Sequence, residues 1–376
     1  MHSLKNDPAH ILVCPLDWGL GHTTRCVPLI HELLRQGCQV LLGATESQKD
    51  FLSAEFPELP QVAAPPYRIL YPEHGFLMPF WLLRETPRIR RLVAAEQLWT
   101  EEICKKHHIN LVISDNRFGC FARGIPSIYM THQVRIAFPP PFRAFESLGI
   151  HLHRRLQRPF REIWIPDLAE NGGLAGHMSH DGLIQGKHFF IGPLTRFPTA
   201  TPEELAIPKK VDILALLSGP EPQRSFLETK LVSLLERQRG NNVLVRGRPD
   251  QQGEKHPPLR TTSLQIHSHL PSAELRKLIL QSRLVVCRSG YSTLMDLQAL
   301  GAKAILVPTP GQTEQEALAR DLHRRGLCGL IHQHSLSSNQ ITRQIHRAHG
   351  WPKPVGTDPV LLGQAVSRIL SSLHAS

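Results

Sequence analysis

Short apolar runs alternate with amphipathic stretches from the start of the chain. Residues 10–16 are an apolar run, Gly19-Leu20-Gly21-His22 follows, residues 23–35 carry apolar positions at helical spacing, and 39–43 are apolar again. Runs of that length between turn residues predict buried strands, and the 3.6-residue period between them predicts a helix, so the chain opens as a βαβ unit. Further strands are expected near 68–70, 111–114, 127–130 and 162–165, with long helices around 80–105 and 142–156. A second series starts at 212–217, passes through a helix near 223–238 and alternates to about residue 331. Two consecutive α/β series of similar length predict two doubly wound, Rossmann-like domains. Their expected bounds are 8–191 and 199–357, joined by a Gly/Pro-punctuated linker at 192–198 and followed by a C-terminal helical segment, 358–376.

With 376 residues and 41% hydrophobic content, each domain can bury its own core. Seven cysteines, an odd total without close pairs, argue for reduced thiols in a cytosolic protein and against a disulfide frame or zinc site. The 22 histidines lack metal-ligand spacing with carboxylates, so no structural metal is expected. Residues 1–7 are polar and run straight into the first strand, which predicts no signal peptide, and no apolar stretch reaches the length of a membrane span.

A net charge of +11 calls for an anionic partner: nucleic acid, an anionic membrane face or a phosphorylated substrate. Arg84, Arg88, Arg90, Arg91, Arg143, Arg154, Arg155, Arg158 and Arg161 all fall in the first half. The apolar segment 75–83 beside the first four reads as an interfacial wedge on anionic lipid, as does 138–142 with the basic run 151–161. A core helix with a solvated arginine face gives the same pattern. Nucleic acid is not expected, since the basic residues lack interleaved aromatic stacking positions and no binding motif appears.

The densest chemistry is Arg288-Ser289-Gly290-Tyr291-Ser292-Thr293-Leu294-Met295-Asp296, between the apolar runs 284–287 and 304–307, followed by Pro308-Thr309-Pro310-Gly311-Gln312-Thr313-Glu314-Gln315-Glu316. A turn between a parallel strand and a helix N-terminus offers free backbone N–H groups and a positive dipole end to phosphate. Asp296, one turn into that helix, can accept from a ribose diol, and Gln315 and Glu316 open the next helix within reach of sugar hydroxyls. The stretch reads as a nucleotide-sugar pocket.

These residues resemble the donor-site signature of the family 28 glycosyltransferases, the MurG-like enzymes. The resemblance rests on the Arg-Ser-Gly turn, the acidic residue on the following helix, the Val-Pro strand end and the Glu-Gln opening of the next helix, and weaker similarity covers most of the chain. It implies a GT-B fold, with two Rossmann-like domains facing across a cleft and the last helix crossing back onto the first domain. It also implies an inverting, metal-independent transfer from a nucleotide-diphosphate sugar, above all a UDP-sugar, with no cofactor beyond that co-substrate. The acceptor would be a sugar, lipid-linked or other hydroxyl, met in the cytoplasm or at the inner membrane face.

Gly19-Leu20-Gly21-His22 lacks the third glycine of a dinucleotide fingerprint, and the second strand ends in Gly43-Ala44-Thr45 without an acidic residue, which argues against a dehydrogenase. Gly19 and Gly21 still allow close backbone approach at a helix start, with His22 projecting there. The resemblance implies that this loop faces the donor diphosphate. A purely structural capping histidine is the alternative. Ser218-Gly219-Pro220-Glu221-Pro222-Gln223-Arg224 is placed for a second diphosphate contact, but its two prolines lack N–H groups, so Ser218, Gly219 and Arg224 are expected to compensate. Arg246 and Arg248 rank lower as anion contacts. Arg288, Arg224 and helix N-termini are expected to hold the leaving diphosphate.

Asp115 ends the apolar run 111–113, where ligands of open α/β sheets bind. Inverting transfer needs a base for the acceptor hydroxyl, and His22 and Asp115 both qualify. An Asp in this position can instead cap a turn. Asn116 and Arg117 beside it, and His132 at the end of the 127–130 strand, are the expected acceptor-side residues. A nucleotide-sugar 2-epimerase on the same fold is the nearest rival; it would need the donor pocket but no acceptor face.

Overall fold

The computed structural model describes residues 8–66, 78–135, 146–247, 259–260 and 263–374, with the side chains of 78–86, 146–149, 152, 259–260 and 374 outside that description. The expected strand at 68–70, the 75–77 end of the apolar wedge, the 138–142 segment, Arg143 and Arg248 lie outside the described residues. The chain divides into two compact units: 1–72, 76–194 and 358–376 form the first, 73–75 and 195–357 the second.

The first unit is built on β1 (His10–Pro15), α1 (Leu20–Arg35), β2 (Gln39–Ala44), α2 (Glu46–Glu55), β3 (Gln61–Ala63), α3 (Met78–Lys106), β4 (Leu111–Asp115), β5 (Ser127–Met130), α4 (Glu146–Gln157), β6 (Glu162–Ile165), α5 (His177–His180) and β7 (His188–Phe190). Its sheet runs β3-β2-β1-β4-β5-β6-β7 and every pairing is parallel. Buried on both faces, its central strands read as unbroken apolar runs such as Ile11, Leu12, Val13 and Cys14. Strand order reverses between β1 and β4, so their carboxyl ends open the crevice in which α/β sheets bind ligands.

The second unit carries α6 (Pro202–Leu205), β8 (Val211–Leu216), α7 (Gln223–Arg237), β9 (Asn242–Val245), β10 (Leu259–Arg260), β11 (Leu264–His267), α8 (Ser272–Leu280), β12 (Ser282–Cys287), α9 (Tyr291–Ala299), β13 (Ala304–Leu306), α10 (Thr313–Arg324), β14 (Gly329–Leu330) and α11 (Ser338–Ile345). Its sheet order is β10-β11-β9-β8-β12-β13-β14, parallel except for β10 against β11. The reversal here falls between β8 and β12. The loops after those two strands are Ser218-Gly219 and Arg288-Ser289-Gly290, so this unit's reversal point carries the motif residues.

The last helix, α12 (Pro359–His374), belongs to the first unit. Leu362, Ala365, Val366 and Ile369 lie on one stripe at spacings of three and four and enter the core shared with Ile30 and Leu33 of α1. Polar ties fix its position: Gln36 Nε2 donates to the Gly363 carbonyl at 3.0 Å, and Arg368 donates to Glu162 at 2.7 Å while its guanidinium lies 3.8 Å from the Phe189 ring centroid.

The expected strands at 127–130 and 162–165 coincide with β5 and β6, while the short β3, β7 and β14 carry too few apolar residues to stand out as runs. No helix among the described residues is long and apolar enough to cross a membrane.

Candidate active site

In the first unit the crevice between β1 and β4 assembles a compact charged cluster. Gly19 is the N-cap of α1 with φ +78°, a conformation that favours glycine. Gln48, at the start of α2, braces the preceding loop: its amide donates to the Leu16 carbonyl and to Thr23 Oγ1, both at 3.0 Å. His22 then stands in the first turn of α1, with Nδ1 3.1 Å from Asp115 Oδ2. Its side chain is 16% exposed and that of Asp115 is 0% exposed. Arg25, three residues on and therefore on the same helix face, grips Asp115 with a fork: Nε donates to Oδ2 at 2.9 Å and Nη2 to Oδ1. Arg25 Nη1 meets His132 Nδ1 at 3.2 Å.

This geometry sets the protonation states. Burial alone would raise the Asp115 pKa, but the charges and hydrogen bonds of Arg25 and His22 outweigh it and hold the carboxyl down at about 2. Asp115 is therefore an anion without access to solvent. The expectation that it could be the base is corrected on that ground: a permanently paired, inaccessible carboxylate takes no proton from an acceptor. Its contact with Nδ1 makes that nitrogen the donor, so the neutral His22 ring carries its lone pair on Nε2. Burial first, then the Arg25 charge, lower the His22 pKa from 6.5. His22 is thus neutral and base-competent at pH 7.

The expected acceptor-side residues are placed differently. Arg117 is fully buried, with Nε donating to Glu96 Oε1 at 2.6 Å and its other nitrogens to the Pro15 and Pro65 carbonyls. It braces the strand ends from inside and presents nothing to a ligand, which corrects the expectation. His132 is 2% exposed and lies against Arg25, so it supports the cluster and does not form an acceptor surface. Asn116 sits at φ +61° and its Oδ1 accepts from the Tyr129 hydroxyl at 2.8 Å.

In the second unit the charged residues of the motifs turn inward. Arg288 is 0% exposed; Nη1 donates to the Val307 and Pro308 carbonyls at 3.0 and 3.1 Å, and Nη2 to the Gln223 carbonyl and Gln333 Oε1 at 2.8 and 2.7 Å. Burial lowers its pKa to about 10, leaving it a cation at neutral pH. Arg224 donates to Glu228 Oε2 at 2.9 and 3.0 Å, and Glu228 also holds Arg246 at 2.6 Å. The Nη1 and Nη2 groups of Arg288 and Arg224 are thus directed at protein acceptors, two of them strand-end carbonyls and one a carboxylate, while Arg288 Nε is buried without a hydrogen-bond partner among the described residues. Arg246 is neutralised in the same way.

Asp296, whose side chain is 14% exposed, accepts from Thr195 Oγ1 at 2.6 Å and lies 3.6 Å from Arg196 Nε. Burial raises its pKa against the opposing pull of Arg196. One carboxylate oxygen is thereby engaged by the chain segment entering the unit, and the other faces Arg196. Gln315 is also structural: its Oε1 accepts from the Thr309 N–H at 2.9 Å, and its carbonyl accepts from Ser289 Oγ at 2.8 Å. Glu316 Oε1 accepts from the Gly311 N–H at 3.1 Å. Ser218 and Gly219 are exposed, and the half-buried Gly290 is the N-cap of α9. The parts of this site nearest solvent are neutral: a hydroxyl and two glycine backbones.

Sequence reasoning missed Arg25, although its position three residues after His22 on an amphipathic helix was a signal. It also missed Glu96 and Thr195, whose partners lie 21 and 101 residues away. Among the described residues no three His, Cys, Asp or Glu side chains come together as a metal-binding group.

With this geometry in place, four likenesses bear on function. Residues 228–350 match the model of the glycosyltransferase family 28 C-terminal domain. An uncharacterised glycosyltransferase of Methanopyrus kandleri is 24% identical over 344 residues, 86% of this chain and 92% of that one. A UDP-N-acetylglucosamine–N-acetylmuramyl-(pentapeptide) pyrophosphoryl-undecaprenol N-acetylglucosamine transferase of Desulforudis audaxviator is 46% identical over 74 residues, 19% of this chain and 20% of that one. Among solved structures, the spinosyn rhamnosyltransferase SpnG complexed with spinosyn aglycone superposes with a TM-score of 0.61 at 15% identity, covering 97% of this chain and 96% of that one.

Proposed function

We propose a donor, an acceptor side and a base for this chain, which is a GT-B glycosyltransferase similar to family 28. The donor is a nucleoside-diphosphate sugar, a UDP-sugar before others, seated on the loops that follow β8, β12 and β13. The acceptor is a sugar, lipid-linked or other hydroxyl. His22 Nε2 takes the hydroxyl proton as the acceptor oxygen bonds to the anomeric carbon. The bond from that carbon to the diphosphate breaks, its electron pair leaves with the nucleoside diphosphate, and attack opposite the leaving group inverts the carbon.

The observation that carries this reading is the His22–Asp115–Arg25 cluster: a neutral imidazole, oriented through Nδ1 by a carboxylate that Arg25 keeps ionised. Asp115 is a positioning residue, fixing the tautomer and stabilising the imidazolium that forms. Charge on the leaving diphosphate falls to the start of α9 and to the buried Arg288 cation acting through space, without a metal. The UDP preference draws on the donor named for the Desulforudis relative.

A lipid-linked acceptor and an anionic membrane surface are favoured by Arg88, Arg90, Arg91, Arg154, Arg155, Arg158 and Arg161, all exposed on the first unit. All seven cysteines are free and buried, which suits the reducing cytoplasm and the inner face of its membrane.

Thermal stabilisation by UDP, TDP, GDP and UDP-sugars, with and without EDTA, tests the reading. Ligands that bind the native state raise the melting temperature by mass action. A shift with one nucleoside diphosphate, unchanged by EDTA, is expected; no shift with any of them overturns the donor assignment.

A further inference from the structure

The second unit presents a deficit in the donor site just proposed. Pro220 and Pro222 remove two N–H donors from the loop after β8. Arg224 and Arg288, the cations nearest that loop in sequence and at the adjacent strand end, are engaged by Glu228 and by carbonyls. A diphosphate held there is left with fewer backbone and cationic donors.

Thr309 fits the vacancy. It follows β13, is 4% exposed, and its Oγ1 is buried without a hydrogen-bond partner among the described residues, whereas its own N–H is satisfied by Gln315. A buried hydroxyl left unpaired carries a desolvation cost with nothing to offset it, so its persistence calls for a reason. The hydroxyl lies beside the exposed Gly219, which sits at φ +102°: a Cβ built on Gly219 would lie 3.8 Å from Thr309 Oγ1 and meet no other described side chain or distant backbone within 4 Å. β8 and β13 flank β12, so the approach of Thr309 to Gly219 brackets the Ser289-Gly290 turn from both sides. Gly290 is similarly open, with only Thr293 Oγ1 at 3.9 Å from its constructed Cβ.

We propose that Thr309 is a positioning residue of the donor site, its Oγ1–H donating to a phosphate oxygen of the nucleoside diphosphate seated on Gly219 and Gly290. A hydroxyl replaces the backbone donors that the two prolines remove. The inference rests on the donor reading above, and it predicts that binding depends on the hydroxyl and not on the volume of the side chain.

The test is calorimetric titration of the full chain with UDP, TDP and GDP, followed by the best of these against Thr309→Val and Thr309→Ser. Valine keeps the shape and removes the hydroxyl; serine keeps the hydroxyl. A hydrogen bond to a charged oxygen predicts affinity roughly ten-fold or more weaker in T309V, within about two-fold of wild type in T309S, and a donor KM that rises more than kcat falls. Equal affinity in T309V and wild type overturns the Thr309 assignment while leaving the donor reading intact. Failure of the wild type to bind any of the three overturns the donor reading itself. Should valine lower the melting temperature, Thr309→Ala with serine as its rescue gives the same comparison: A weaker than S supports the contact, and A equal to S removes it.

Discussion

The two units place charge in opposite ways. In the first, the charged groups form the candidate site: Asp115, Arg25 and His22 make one buried network whose outer member, His22, is partly exposed. In the second, Arg288, Arg224 and Asp296 hold loops together from within, and what lies beside the exposed Gly219 is the buried Thr309 hydroxyl. On the proposed function, the difference follows from what each site must do. A base needs a tuned proton affinity, which neighbouring charges provide. A phosphate site needs aligned donors, and rigid loops with neutral donors offer these without a desolvation penalty for a cation at the surface.

Substitutions can break this contrast. The largest effect is expected for His22→Ala, which removes the base: turnover of the donor should fall about 10²–10⁴-fold, with nucleoside-diphosphate affinity by calorimetry and melting temperature close to wild type. Asp115→Asn should lose activity as well, and Arg25→Met should strand a buried carboxylate. Each of these two is expected to lower unfolding free energy by about 3–5 kcal/mol in denaturant titration, which separates the buried members from His22. In the second unit Arg288→Lys keeps the charge but cannot span four acceptors. A loss of about 1–3 kcal/mol of stability is expected, with nucleoside-diphosphate affinity changed only a few-fold; a large affinity loss at unchanged stability would mean direct phosphate contact. The smallest effect is expected for Asp296→Asn. Its folded pKa is raised above 3.8, so ionisation opposes folding as pH rises through that value, and the neutral amide can still accept from Thr195. Melting temperature at pH 7 should be unchanged or higher.

Much of this was legible in the sequence. Apolar runs between turn residues placed the central strands, and the Ser289-Gly290 turn ahead of a helix and Asp115 at a strand end were readable because position along an element depends on local pattern. Direction was not. Arg288 points inward because four acceptors from α7, β13 and the 333–335 turn converge on it, and those acceptors are up to 65 residues away in the chain. Arg25 pairs with Asp115 across 90 residues only because β1 and β4 are neighbours in the sheet. Arg117 turned from acceptor contact to brace for the same reason, since Glu96 on α3 lies under it. Spacing locates a charged residue; the sheet order decides which way it faces.

The central claim is that His22 is a neutral base oriented by an ionised Asp115. The most direct measurement is the ¹⁵N-imidazole NMR spectrum of the full chain as a function of pH, with His22 assigned by its loss in His22→Gln. The account predicts a neutral ring protonated at Nδ1, titrating below 6.5. A ring protonated at Nε2, or one titrating above 6.5, would contradict it.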